Sequence, residues 1–148
     1  MRNARSPPGI PAPPPVAAAP PAATPAPEPP GYAEAVTRGN DYFSKGKYRA
    51  AAAEYKKAVG LRPESGPVLV ALGDAWLEAD RPRNAVDPLE SAARIDPGSA
   101  RAQLLLGTAY HSLGRKADAA KAYRRFLELD PGSEYAKDVK VILANLGR

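Results

Sequence analysis

The residues Asp96-Pro97-Gly98-Ser99 return 34 positions later as Asp130-Pro131-Gly132-Ser133, and 34 positions before Ser99 stands Ser65, in Arg62-Pro63-Glu64-Ser65. The same offset joins Gly39, Gly73 and Gly107, then Tyr42, Trp76 and Tyr110, then Ala51, Ala85 and Ala119. Tyr55, Leu89 and Tyr123 form a further series, as do Leu61, Ile95 and Leu129. A period this regular confines the chain to a repeat array, in which each unit buries its apolar face only against its neighbours. Inside each period the pattern reads as two antiparallel helices. Ser65, Ser99 and Ser133 each precede a helical pattern and suit an N-cap, whose side-chain oxygen accepts a first-turn N–H. Pro67 and Pro82 fit a first turn, where a missing donor costs nothing. Gly46, Gly114 and the segment Ala79-Asp80-Arg81 mark the turns inside the pairs. Gly39, Gly73 and Gly107, opposed by Ala51, Ala85 and Ala119, predict closely approaching helix axes, with the aromatic series filling the gaps between pairs. Pro88 falls inside one predicted helix and removes its bond to the carbonyl of Asn84, which predicts a tilted or kinked start rather than a break.

These residues resemble the tetratricopeptide repeat family, whose loose pattern asks for an aliphatic and Gly, an aromatic, Ala, an aromatic, Ala and Pro. The middle window reads Leu72-Gly73, Trp76, Ala85, Leu89, Ala92, Pro97, and the third reads Leu106-Gly107, Tyr110, Ala119, Tyr123, Phe126, Pro131. The first reads Arg38-Gly39, Tyr42, Ala51, Tyr55, Ala58, Pro63, so that Arg38 and Phe126 are the departures. The resemblance implies an all-α fold, a right-handed α-α superhelix of three repeats at 32–65, 66–99 and 100–133. Residues 134–148 are then expected to form a capping helix, with Tyr135, Val139, Ile142 and Leu146 as one apolar stripe and Gly147 ending it.

The first 31 residues are of another kind. Twelve of the 18 prolines lie there with eight alanines, and only Met1, Ile10 and Val16 add larger apolar bulk, so no core can form from them. Proline at this density favours extended, polyproline-like conformations, and residues 1–31 are read as a disordered Pro/Ala-rich linker. Arg5, Pro8 and Pro11 fit the RxxPxxP spacing of proline-recognition ligands, a spacing that so proline-dense a stretch also produces by chance; the plain linker is the expectation. The other 117 residues are enough for one ordinary domain without disulfides or a metal.

Chemistry narrows further. With no cysteine and a single histidine, His111, the chain offers no thiolate site, disulfide or imidazole cluster, and no cofactor is expected. Phosphate-loop and serine-nucleophile motifs are missing, and Asp41, Glu54, Asp74 and Glu78 have no evident partner constellation, so no enzymatic activity is expected. The net charge of +5 is interspersed rather than blocked. The pairs Lys56-Lys57 and Arg124-Arg125 are interrupted by Glu90-Ser91 at the equivalent place, against a phosphate track, and nucleic acid is not the expected partner. No apolar run is long enough to span a membrane, and prolines occupy the place of a signal peptide's apolar stretch. A cytoplasmic location is the expectation, with a periplasmic or membrane-tethered one left open for a longer chain. The Ala, Pro, Arg and Gly usage reads as a GC-rich bacterial bias.

What remains is binding to another protein. The resemblance implies that the first helix of each pair lines a concave groove for a partner's peptide or helix. Carried along the period, Val36, Val70 and Leu104 form one row of that groove. Asn40, Asp74 and Thr108 form the second, and Phe43, Leu77 and His111 the third. Two rows are mainly apolar, which suits an amphipathic helix or an apolar extended segment. The family's best-known subgroup clamps a C-terminal carboxylate of heat-shock chaperones with lysine, asparagine and arginine side chains. Asn40 matches one such place and Arg101 supplies one further cation, but Val36, Ala71 and Leu105 hold the rest, and a carboxylate needs several charge-assisted donors. The reading is a protein–protein interaction module or scaffold. The alternative is a structural protein that self-associates through the solenoid, which Arg38 at one end and the capping helix at the other oppose.

Overall fold

The structure is a computed structural model and describes residues 27–148. The linker reading of residues 1–26 and the Arg5, Pro8, Pro11 spacing lie outside the described residues. The described chain is all-helical, with seven helices: α1 Tyr32–Ser44, α2 Tyr48–Leu61, α3 Gly66–Glu78, α4 Pro82–Ile95, α5 Ala100–Ser112, α6 Lys116–Leu129 and α7 Ala136–Leu146. Helices pack on their sequence neighbours, α1 on α2, α3 on α4 and α5 on α6, with α3 and α5 also in contact. Leu61 at the end of α2 lies 3.8 Å from the position a Cβ would take on Gly31 at the start of α1, so the pair is antiparallel.

Two turn designs alternate along the chain, each set by a few atoms. Inside the pairs, the N–H of Lys47, Arg81 and Arg115 donates to the carbonyl of Tyr42, Trp76 and Tyr110 at 2.8–2.9 Å. The preceding residue donates to Phe43, Leu77 and His111 at 3.0 Å in each case. This is the double bond of a Schellman ending, which demands a left-handed residue just past the helix. Gly46 at φ 74 and Gly114 at φ 72 supply it without strain, whereas the middle pair uses Asp80 at φ 58. Between pairs, Ser65, Ser99 and Ser133 donate their N–H to the carbonyls of Arg62, Asp96 and Asp130 at 3.0–3.2 Å. Each of these turns carries proline as its second residue, where the fixed φ is already correct. The prolines of the period are therefore turn residues.

The three serines differ in their side chains. Ser99 caps α5 as expected, accepting from the Ala102 N–H at 3.2 Å. Ser65 stands at the N-cap of α3 but makes no cap bond, and its Oγ is paired with the Tyr32 hydroxyl at 2.8 Å. No tyrosine occupies the positions equivalent to Tyr32, which are Gly66 and Ala100. Ser133 is not an N-cap: it accepts from the Tyr135 N–H, two residues on, and α7 begins only at Ala136. That delay corrects the expected stripe. Tyr135 is 44% exposed, and Ala136 and Val139 are the buried residues of α7, with Ile142, Leu143 and Leu146 packed beside them. Gly147 is the C-cap, as expected.

The packing of each pair turns on its glycine. A Cβ added to Gly39 would lie 2.5 Å from the Tyr55 ring, one on Gly73 2.3 Å from Leu89, and one on Gly107 2.5 Å from the Tyr123 ring. The nearest side chain over each glycine is thus the buried Tyr or Leu of the second helix, and not the alanine the sequence suggested. Ala51, Ala85 and Ala119 are nonetheless fully buried. Tyr42 and Trp76 are partly buried and Tyr110 is buried, in keeping with packing rather than an open stacking platform. Helix α4 runs through Pro88 unbroken and has the same length as α2 and α6. At the outer end of the first pair, the nearly buried Glu54 takes Arg38 at 2.9 Å and Lys57 at 3.0 Å. The atypical Arg38 therefore has an ion-pair partner within its own pair, whereas its equivalents Leu72 and Leu106 are buried.

Asp80→Gly is expected to stabilise the protein by about 1 kcal/mol, since left-handed backbone costs an L-residue about that much, and a raised urea midpoint is the readout. Gly107→Leu is expected to cost about 1–3 kcal/mol by overpacking against Tyr123. Gly132→Ala, with nothing near its added Cβ, is the control that should change little. The hydrogen bonds from Lys57 and then Arg38 hold the Glu54 carboxyl below its ordinary value of 4.5. A depressed carboxylate stabilises the fold above its unfolded value and loses that contribution as pH falls through the lowered one. Wild type should therefore lose more stability than Glu54→Gln on acidification from pH 5 to pH 3, measured by denaturation at each pH.

Candidate partner-binding groove

The first helices of the pairs, α1, α3 and α5, stand side by side and leave two clefts. The larger, of about 910 Å³, takes Val36 from α1, Val70, Ala71 and Asp74 from α3, and Arg101 from α5. The smaller, of about 330 Å³, takes Asp74 and Leu77 from α3, and Arg101, Leu104 and Thr108 from α5. Seven of the ten residues expected in the groove thus line these two clefts, and Asp74 with Arg101 belongs to both.

The other three are engaged elsewhere. Asn40 accepts a hydrogen bond from the Tyr55 hydroxyl at 2.7 Å. Phe43 packs edge-on against Tyr48, ring centroids 5.1 Å apart. His111 is exposed and edge-on to Tyr123 at 6.4 Å, with no acidic side chain hydrogen-bonded to it. It is a surface residue resting on a core ring.

The polar row is governed by what lies beneath it. Burial pushes the Tyr55 hydroxyl above its ordinary value, with the charge of Asp74 adding to the effect. Burial likewise raises Tyr123, which Thr108 partly offsets by hydrogen bonding. In the middle pair the equivalent residue is Leu89, which has no hydroxyl to offer. Asp74, with only 16% of its side chain exposed, pairs instead with Arg101 across the interface at 2.6 Å. A half-buried carboxylate without such a partner would carry a desolvation cost. The one cation that the sequence reading placed in the groove is therefore neutralised from within.

Sequence reasoning missed contributors at both ends of the groove. Tyr32 and Arg62 line the larger cleft at its outer side, with the Arg62 guanidinium 5.4 Å over the Tyr32 ring. Ile142 of α7 lines the smaller cleft together with Asp138, so the capping helix is also a wall of the groove. Arg62 precedes a period proline and drew attention only as turn context, while α7 lies beyond the last period and has no equivalents to map.

The outer face is different in kind. Tyr110 donates its hydroxyl to Glu90, and Arg115 stacks 4.5 Å over the Tyr110 ring. Burial first, then that hydrogen bond, raises the Tyr110 hydroxyl far above its ordinary value. A cleft of about 560 Å³ here is walled by both signs of charge, and Arg115 pairs with Asp118 at 2.8 Å and Arg125 with Glu128 at 3.7 Å. Among the described residues no group of three or more His, Cys, Asp or Glu side chains could hold a metal ion. No helix among them is long and apolar enough to cross a membrane.

The family model described as tetratricopeptide repeat matches residues 36–100 and 81–134. A search of curated protein sequences found no match. Among solved structures the chain is similar to the Arabidopsis OM64 TPR domain, at 26% identity and a TM-score of 0.73, covering 78% of this chain and 95% of that one. It is also similar to the first TPR of Spaghetti (RPAP3) bound to the HSP90 peptide SRMEEVD, at 24% identity and a TM-score of 0.72, covering 79% and 90%. A third is the TPR2B domain of yeast Sti1 in complex with an Hsp70 peptide, at 19% identity and a TM-score of 0.71, covering 79% and 96%. Since the matches to the family model run together over most of the helical array, this chain belongs to the tetratricopeptide repeat family, a protein-interaction fold.

Proposed function

We propose that the chain is a non-enzymatic interaction module that takes a partner's peptide or amphipathic helix in the groove formed by α1, α3, α5 and α7. The observation that carries this reading is the row of half-buried apolar side chains, Val36, Val70, Leu77 and Leu104, presented along two open clefts while the charges between them pair with each other. Apolar area left at a surface in one contiguous strip stabilises association rather than folding. The structural neighbours bound to HSP90 and Hsp70 peptides support the use of this fold for peptides. Here the Asp74–Arg101 pair directs the choice towards a partner segment that is apolar rather than one ending in an acidic carboxylate. The repeat boundaries at 65, 99 and 133, with residues 134–148 as a separate capping unit, are part of the same proposal.

The double variant Val70→Glu/Leu104→Glu is expected to lose partner capture from a lysate of the source organism while its helical circular dichroism stays unchanged. Lys56→Glu, on the exposed face of α2, should capture as wild type does. Capture retained by the double variant would move the binding site to the outer face.

A further inference from the structure

The larger cleft lies beside the place where the described chain enters the helical array. Pro27, Glu28 and Pro29 precede the first turn, and Glu28 pairs with Arg62 at 3.6 Å. Arg62 in turn covers Tyr32, and both side chains line the cleft. The 26 residues before Pro27 thus join the array at the lip of this cleft. Their composition suits it: from Ser6 to Pro27 there is no charged side chain, and Ile10 and Val16 are the branched apolar residues of the stretch. Within the cleft Arg101 is held by Asp74, and Val36, Val70 and Ala71 stand beside that pair.

We propose that the segment Ile10–Val16 of this same chain occupies the larger cleft when no partner is bound. This rests on the reading of the cleft as a peptide-binding surface and adds an internal competitor for it. Eleven residues, Ala17–Pro27, connect Val16 to Glu28. At the polyproline rise they reach at most about 34 Å, and Ala17-Ala18-Ala19 and Ala22-Ala23-Thr24 are free of proline, so the direction can reverse there. A tether of this length holds its end at an effective concentration of order millimolar. Weak contact from two branched side chains and a proline stretch, which has little backbone freedom left to lose, is then enough to fill the cleft. A partner must displace the segment, so occupancy sets a threshold on partner concentration.

The cysteine-free chain allows a direct test. In the full-length protein, Ala12→Cys carries a nitroxide, and amide signals of residues 27–148 are compared with the label oxidised and reduced. Val36, Val70, Ala71 and their neighbours are expected to lose most of their intensity, while Lys121 and Arg124 on the outer face keep theirs. Adding Ile10→Asp/Val16→Asp, which touches no residue of the helical core, should restore the cleft signals. Broadening that fades with distance along the chain from Glu28 and does not reach Val70 overturns the proposal. So does broadening seen in a mixture of nitroxide-labelled chains and separate isotope-labelled chains, which would assign the contact to a second copy. Either result leaves the groove variant Val70→Glu/Leu104→Glu to decide partner binding independently.

Discussion

The whole array depends on one contact repeated three times: a ring or Leu side chain of the second helix laid on the bare backbone of a glycine in the first. With Tyr55, Leu89 or Tyr123 seated at what would be Cβ distance, the helices of a pair come closer than any side chain on Gly39, Gly73 or Gly107 would permit. Glycine inside a helix costs about 1 kcal/mol relative to alanine. Burying a large apolar side chain returns about 1.5–3 kcal/mol, so the exchange favours the close pair. That closeness sets how tightly the two helices of each pair can pack.

The same three positions shape the groove. In the first pair the side chain on the glycine is tyrosine, and its hydroxyl reaches the polar row, where Tyr55 donates to Asn40. Where it is leucine, the polar row must find a partner elsewhere, and Asp74 takes Arg101 from the next pair. One difference in the core, Leu89 where the other pairs have tyrosine, thereby accompanies the pairing of Asp74 with Arg101. Core and groove are not separable in so thin a structure, because α1, α3 and α5 each pack on one side and line the clefts on the other.

Much of this was readable in the residues. The 34-residue offset located the helix pairs, the turn prolines and the glycine series, since a repeat places equivalent side chains in equivalent surroundings. It also located Val36, Val70, Leu77 and Leu104 along the clefts. It was less able to distinguish which neighbour faces a given residue. Ala51 and Tyr55 lie one helical turn apart on the same face, and the pattern alone does not rank them as the cover of Gly39. Ser133 shares its tetrapeptide with Ser99, yet the residues after the two serines differ: Ala100-Arg101-Ala102 continues as a helix, whereas Glu134-Tyr135 forms a further turn before α7. That turn leaves Tyr135 outside the capping helix and exposed, while Val139, Ile142 and Leu146 keep the expected face.

Sequence by itself determined the all-helical repeat, its period and its turns, because these follow from local backbone preference and from spacing. Tertiary structure decided how side chains from different pairs meet. Asp74 and Arg101 are 27 residues apart in the chain, and Tyr32 and Ser65 are 33 apart. Neither pairing follows from local preference, because each needs the stacked helices to bring the two side chains within hydrogen-bond reach. The first pairs the charges of the groove with each other, and the second ties the start of α1 to the start of α3.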